Sequence, residues 1–213
     1  MKRLIYIIFT ILITTSCSIV NVKAKKCLDE SIIVIDPGHG GKDNGASNGV
    51  LIEDELNLEI SLLISDYLIQ EGAIVYFTRT GDYDLSKENV SNKKKDDLKE
   101  RLKIINNYKP DLFISIHMNT YPSSNINGAQ AFYYHDDLLA NCIQKELNKL
   151  NEKSKIAKKG DIYLLRNSLV PSCLVECGFV TGYLDYQNFQ KESYKKLVAK
   201  YIKQGIENYL LTS

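Results

Sequence analysis

Four apolar residues stand together at Ile32-Ile33-Val34-Ile35, and Asp36-Pro37-Gly38-His39-Gly40-Gly41 follows at once. A continuous apolar run stopped by Asp-Pro-Gly predicts a short strand buried on both faces, feeding a glycine-rich loop through Gly49. Outward from it, Leu56, Ile60, Leu63 and Tyr67 repeat at helical spacing from about Leu56, and Gly72 suits the position after the helix end. Ile74 to Phe77 reads as a second strand. Leu98, Leu102 and Ile105 mark the next helix, and Leu112 to Ile116 the next buried strand. Ala129 to Tyr134 alternates loosely and is expected at a sheet edge. A helix from about Asp137 to Leu150, a short strand around Leu174-Val175 and a terminal helix from Tyr194 to Leu211 complete the pattern. Strands alternating with helices predict one α/β domain, a mostly parallel twisted sheet with helices on both faces. The charge run Lys93-Lys94-Lys95-Asp96-Asp97 reads as a solvated helix start rather than a site.

The whole chain has 213 residues, enough for one well-buried domain or at most two. Lys and Arg number 27 against 26 Asp and Glu, which leaves no basic excess of the kind a nucleic-acid binder needs. The first residues are a separate object. Met1-Lys2-Arg3 is basic, and Leu4 to Ile13 is apolar except for one Thr, which is the pattern of a secretory leader. Val22-Lys23-Ala24 fits a small-residue cleavage rule, so residues 1–24 are read as a signal peptide and 25–213 as the folded domain. Retention of Leu4 to Val22 as an uncleaved anchor is the alternative. Cys17 sits in a poor lipobox. Export is expected, with membrane contact only through the leader. Export permits disulfides, but Cys173 and Cys177, four apart in one strand, would place their Cα atoms roughly 13 Å apart at about 3.3 Å per residue. A bridge tolerates no more than about 7 Å. Cys27, Cys142, Cys173 and Cys177 are therefore read mainly as small buried hydrophobes.

Sites in open α/β sheets form beyond the carboxyl ends of the strands. Three predicted strands end in residues of catalytic type: Asp36-Pro37-Gly38-His39, Ser115-Ile116-His117-Met118-Asn119 and Val175-Glu176-Cys177-Gly178-Phe179. Two of the three histidines and a glutamate thus converge on one rim. The glycine-rich loop is not a nucleotide cradle: Gly41-Lys42 is followed by Asp43, and Asp36 stands where a Walker loop has its first Gly. Its glycines let the backbone turn tightly so that His39 points into the cleft. Two imidazoles on neighbouring strand ends suit Zn2+, which takes three protein ligands when it is catalytic. Glu53, Asp54 and Glu55 open the first helix at the same end, and any of them could be the third ligand. The macrodipole alone explains one or two acids there. Zinc would activate a water, and Glu176 could be its general base or the later acid.

The three rim motifs, in this order, resemble the signatures of the zinc-dependent N-acetylmuramoyl-L-alanine amidases, over about residues 31–210. That family has a Glu ligand in a pattern like E-K-D-x-N-L, and Glu53-Asp54-Glu55-Leu56-Asn57-Leu58 falls on it, with Glu55 as the alternative. The resemblance implies His39, Glu53 and His117 on Zn2+ and Glu176 as the catalytic carboxylate. It implies hydrolysis of the amide between N-acetylmuramic acid and L-alanine of the peptidoglycan stem peptide. Gly128 to Tyr134 and Ala157 to Asn167 are similar to the sporulation-type members, the CwlD group. These strip stem peptides from spore-cortex muramic acid so that it becomes muramic-δ-lactam, the mark read at germination. Arg79, Arg101 and Arg166 fall where relatives also carry arginine, and Arg166 and Asn119 are candidate substrate contacts. Thr181-Gly182 departs from the Ser-Asn of many relatives, which puts loop contacts there in doubt. His135 is expected at the surface without a role. An accessory or regulatory protein is a further expected partner, since an exported amidase needs control.

Two other readings compete. A zinc peptidase or deacylase could use the same side chains on another cell-wall bond. A degenerate amidase-like module could bind wall or partner without turnover, although all four core residues are present.

Overall fold

The computed structural model describes residues 28–212. The expected leader, Cys17 and Cys27 lie outside them. The Ile32 run forms β1 (Ile32–Pro37), flanked in parallel by β2 (Ile74–Phe77) and β3 (Leu112–Asn119). The outer side of β3 carries β6 (Ser172–Phe179), again parallel. Beyond it lie β4 (Gln130–Tyr133), antiparallel to β6, and the two-residue β5 (Lys158–Lys159). The sheet order is β2-β1-β3-β6-β4-β5, so the four parallel strands are contiguous.

Side chains alternate across this sheet as a pleat demands. Ile33 and Ile35 of β1, Ile114 and Ile116 of β3, and Cys173 and Val175 of β6 enter the larger core. That core is closed by α1 (Glu53–Gln70), α3 (Leu138–Leu147) and α6 (Glu192–Leu210). Val34, Phe113 and Leu174 point the other way, under α2 (Lys93–Tyr108) and the short α4 (Tyr163–Asn167). A seven-residue α5 (Tyr183–Phe189) follows β6. Helices on both faces and a mainly parallel sheet match the expected class.

Three details differ from the sequence expectation. β4 is not an edge, because β5 pairs Lys158 with Phe132 and Lys159 with Tyr133. α1 begins at Glu53 rather than near Leu56; Glu53, Asp54 and Glu55 occupy its first turn, where the helix dipole favours negative charge. β3 and β6 run past their apolar cores to take in His117 and Glu176, which are direct neighbours in the ladder. Among the described residues, no helix is long and apolar enough to cross a membrane. Cys142, Cys173 and Cys177 are free thiols, and burial pushes Cys173 up to about 12. Both strand cysteines sit in the core as small hydrophobes.

α3 and α6 meet at one glycine. A Cβ on Gly205 would lie 2.5 Å from the Ile143 Cα. Backbone cannot yield there as a flexible side-chain tip would, so Gly205→Val should cost about 1–3 kcal/mol through overpacking. Chemical denaturation checks this; an unchanged midpoint would mean the helix pair separates freely.

Candidate active site

β1 delivers the chain into a loop whose first carbonyls, Pro37 to His39, are held from outside. Arg79 donates to the carbonyls of Pro37 and Gly38, each at 2.9 Å, and to that of Asp54 at 2.8 Å. Arg101 donates to the Pro37 carbonyl at 2.7 Å and to that of His39. Both guanidiniums are buried. Asp36 secures Arg101 at 2.8 Å and accepts from the Thr78 and Ser115 hydroxyls at 2.6 and 2.7 Å. Burial opposes the charge on Asp36, but Arg101 and the two hydroxyls outweigh it and hold the carboxyl below its usual range. Arg79 and Arg101 are therefore structural. Clamped in this way, His39 takes φ 61°, a left-handed conformation that costs a residue with a Cβ some strain.

The side chains gather on this frame. His39 and His117 rings lie 5.0 Å apart, edge to face. Glu53 reaches between them: its Oε1 is 3.1 Å from His39 Nε2 and 3.0 Å from His117 Nδ1. The Glu53 carboxylate also accepts from the backbone N–H of Ala46 at 2.7 Å and of Met118 at 3.2 Å. Burial would raise its pKa, yet the two imidazoles outweigh burial and hold it well below the usual carboxylate range. One ligand atom from each of His39, Glu53 and His117 lies within 4.8 Å of the others, so the three can hold one metal ion. Asp43 accepts from His39 Nδ1 at 3.0 Å and so fixes the ring with Nε2 turned inward. Gly38 leaves the room for this: a Cβ there would lie 2.2 Å from the His117 ring.

Glu176 stands beside His117 on the next strand and lines the same cleft, with Asn119 and Thr120. Its Oε2 is buried without a hydrogen-bond partner among the described residues. Burial, helped by the charge on Glu53, pushes this carboxyl up to about 7 despite the histidines. An unsatisfied carboxylate poised near neutrality is suited to taking and returning a proton.

The acids that sequence spacing left open now separate. Glu53 meets both histidines, Asp54 is buried outside that cluster with its Oδ1 unpartnered, and Glu55 is exposed. Asn119 lines the cleft, whereas Arg166 is exposed at the end of α4, paired with Asp161 at 2.6 Å and outside the cleft lining. His135 is exposed, with Nε2 3.0 Å from the Arg166 carbonyl oxygen. The Thr181 hydroxyl bonds the backbone of Tyr121 on both sides, at 3.0 and 2.9 Å, so the departure from Ser-Asn keeps a working loop contact. Asp43 was not anticipated from the sequence. The available signal is a carboxylate four residues after the loop histidine.

A parallel sheet that brings two histidines, a buried glutamate and a second, poised glutamate together at its carboxyl rim suits hydrolytic chemistry. The comparisons agree: the family model for N-acetylmuramoyl-L-alanine amidase matches residues 33–208. The chain belongs to that family, and it is an N-acetylmuramoyl-L-alanine amidase acting on peptidoglycan. The germination-specific amidase of Bacillus subtilis (strain 168) is 40% identical over 191 residues, covering 85% of this chain and 81% of that protein. The CwlD amidase of Clostridioides difficile, solved in complex with the GerS lipoprotein, superposes with a TM-score of 0.82 at 35% identity. That match covers 86% of this chain and 100% of the other. The catalytic domain of CwlV, the amidase of Bacillus (Paenibacillus) polymyxa var. colistinus, gives a TM-score of 0.76 at 28% identity, covering 86% and 99%.

Proposed function

We propose that the amidase is zinc-dependent, with His39, Glu53 and His117 as metal ligands and Glu176 as the catalytic carboxylate. The supporting observation is one cleft that holds both a three-ligand cluster and the unpartnered Glu176 oxygen. Two nitrogens and a carboxylate are a donor set zinc accepts while leaving a position for chemistry. When bound, zinc would supply Lewis acidity toward the muramoyl–L-alanine carbonyl and the attacking water. The protein does the rest. Glu176 takes the proton of the attacking water, and burial suits it to give that proton to the departing L-alanine nitrogen. Asp43 keeps His39 in register. Asn119 contacts substrate on the cleft wall, and Arg166 contacts a more distant part of the glycan or stem.

The finer biology follows from the relatives. Likeness to a germination-specific amidase supports a role in spore cortex, as a step toward muramic-δ-lactam. The leader reading supports export of residues 25–213 to the space where cortex is made, with membrane contact only through residues 1–24. A relative solved with a lipoprotein supports an accessory partner of that kind.

The test is chelation followed by metal return. Purified protein should bind one zinc per chain, lose turnover when the metal is stripped, and regain it on addition of zinc. His39→Ala and His117→Ala should each lower zinc affinity by more than about 100-fold, since loss of a supporting contact alone costs 10–100-fold. Released peptides should begin at L-alanine by mass spectrometry. Peptides with another N-terminus would favour the peptidase or deacylase reading, and metal-independent turnover would remove zinc from the mechanism.

A further inference from the structure

The charge run at the start of α2 is exposed, as the sequence led one to expect, and it also borders the candidate site. Three adjoining hollows open around the candidate metal cluster, and Lys94 lines each of them, together with His39 and Asp43. The hollow that leads away from His39 along α2 adds Lys42 and Lys93 on its walls. Its acidic groups are already engaged. Asp43 holds His39, Asp97 takes Arg101 at 2.7 Å and the Leu85 N–H at 2.7 Å, and Asp84 binds Ser86. The lysines are held less firmly, and Lys94 and Lys42 feel Asp43 and Asp84 only at longer range. Lys93 donates to the Lys87 carbonyl at 2.8 Å, but the Lys42 and Lys94 ammoniums make no hydrogen bond or ion pair among the described residues.

Helix stability does not explain this placement. Lys93, Lys94 and Lys95 form the first turn of α2, where cations oppose the macrodipole. The part of the cleft lined by Asn119 and Thr120, at the end of β3, is uncharged. The lysines around the site thus stand on the α2 side only, balanced at longer range by Asp43 and Asp84. The substrate has the same asymmetry. Its glycan is neutral around the lactyl group, whereas the stem peptide carries free carboxylates beyond L-alanine.

We propose that Lys94, supported by Lys42, binds a carboxylate of the stem peptide and sets the direction in which substrate lies across the site. The peptide then runs along the α2 side and the glycan along the Asn119 side. This deepens the amidase reading and rests on it. An exposed ammonium meeting a carboxylate favours Lys as an adaptable point charge rather than a bidentate clamp.

The test uses the zinc-loaded full protein and two muramyl tripeptides that differ only in whether the second-residue α-carboxyl is free or amidated. The ratio of kcat/KM, acid over amide, should be about 10 for the wild type and fall to about 1 in Lys94→Ala. The loss should appear in KM rather than kcat. Lys94→Arg should restore the preference, and Lys94→Glu should invert it. Zinc content and melting temperature, read on each variant, separate a charge effect from misfolding. An unchanged ratio in both Lys94→Ala and Lys94→Glu overturns the carboxylate assignment while leaving the amidase intact. Failure to release L-alanine-terminated peptide from either substrate would overturn both.

Discussion

Glu176→Gln should lower kcat by roughly 10²–10⁴-fold, the usual contribution of a positioned general acid–base group. Zinc content should not change, because Glu176 is not one of the three clustered ligand residues. Glutamine keeps the shape and removes the titratable carboxyl, so the result isolates proton transfer from packing. The pH profile gives the sign. As a base Glu176 must be ionised, so kcat/KM falls as pH drops through its pKa. Burial, with Glu53, pushes that carboxyl up to about 7 without metal, and a bound cation would draw it lower. The acid limb should therefore have its midpoint below 7 and vanish from the residual activity of the variant. In metal-free protein the raised pKa works on stability in the opposite direction to an ordinary carboxylate. Its contribution is fully present below the unfolded value and lost as pH rises through about 7. Glu176→Gln should flatten that decline in urea denaturation between about pH 4.5 and 7. A variant with wild-type turnover would remove Glu176 from the chemistry.

Arg101→Met should destabilise the fold by about 3–5 kcal/mol, the range for removing one partner of a buried ion pair. Asp36 would be left fully buried with only two hydroxyl donors, and the carbonyls of Pro37 and His39 would each lose a donor. Asp97 would lose its guanidinium partner too and keep only the Leu85 N–H. Adding Asp36→Asn should recover part of the loss, because the orphaned charge goes with it. Denaturant midpoints for the single and double variants decide this. Equal stability of the two would mean that water reaches Asp36 when Arg101 is removed. His39 should also be held less firmly, so zinc affinity in Arg101→Met should fall even at temperatures where the protein remains folded.

The sheet and its reactive rim were legible because buried parallel strands write themselves as short apolar runs. A histidine or glutamate ending such a run stands out against that background. Which acid joins the histidines was not legible from spacing, and the reason is helical geometry. At 3.6 residues per turn, consecutive residues point about 100° apart. Glu53 therefore faces β3, Asp54 stays outside the histidine cluster and Glu55 faces water. Only the resemblance to a family pattern selected Glu53. α4 and α5, of five and seven residues, are too short for a repeat to show. Asp43 was hidden by lying in a loop with no period. Lys94 was hidden by its neighbours, since a block of lysines looks the same whether it faces solvent or a cleft.

The clamping of Pro37, Gly38 and His39 also bears on whether the motif can be moved. The segment Asp36-Pro37-Gly38-His39-Gly40-Gly41 does not carry its own shape. Its carbonyl directions are set by one arginine that follows β2 and another within α2, 42 and 62 residues further along from Pro37 and His39 respectively. Grafted onto another parallel sheet, the hexapeptide alone would relax, and His39 would leave its left-handed conformation. The smallest transplantable unit is the loop together with Arg79, Arg101 and the hydroxyls of Thr78 and Ser115 that hold Asp36 in place.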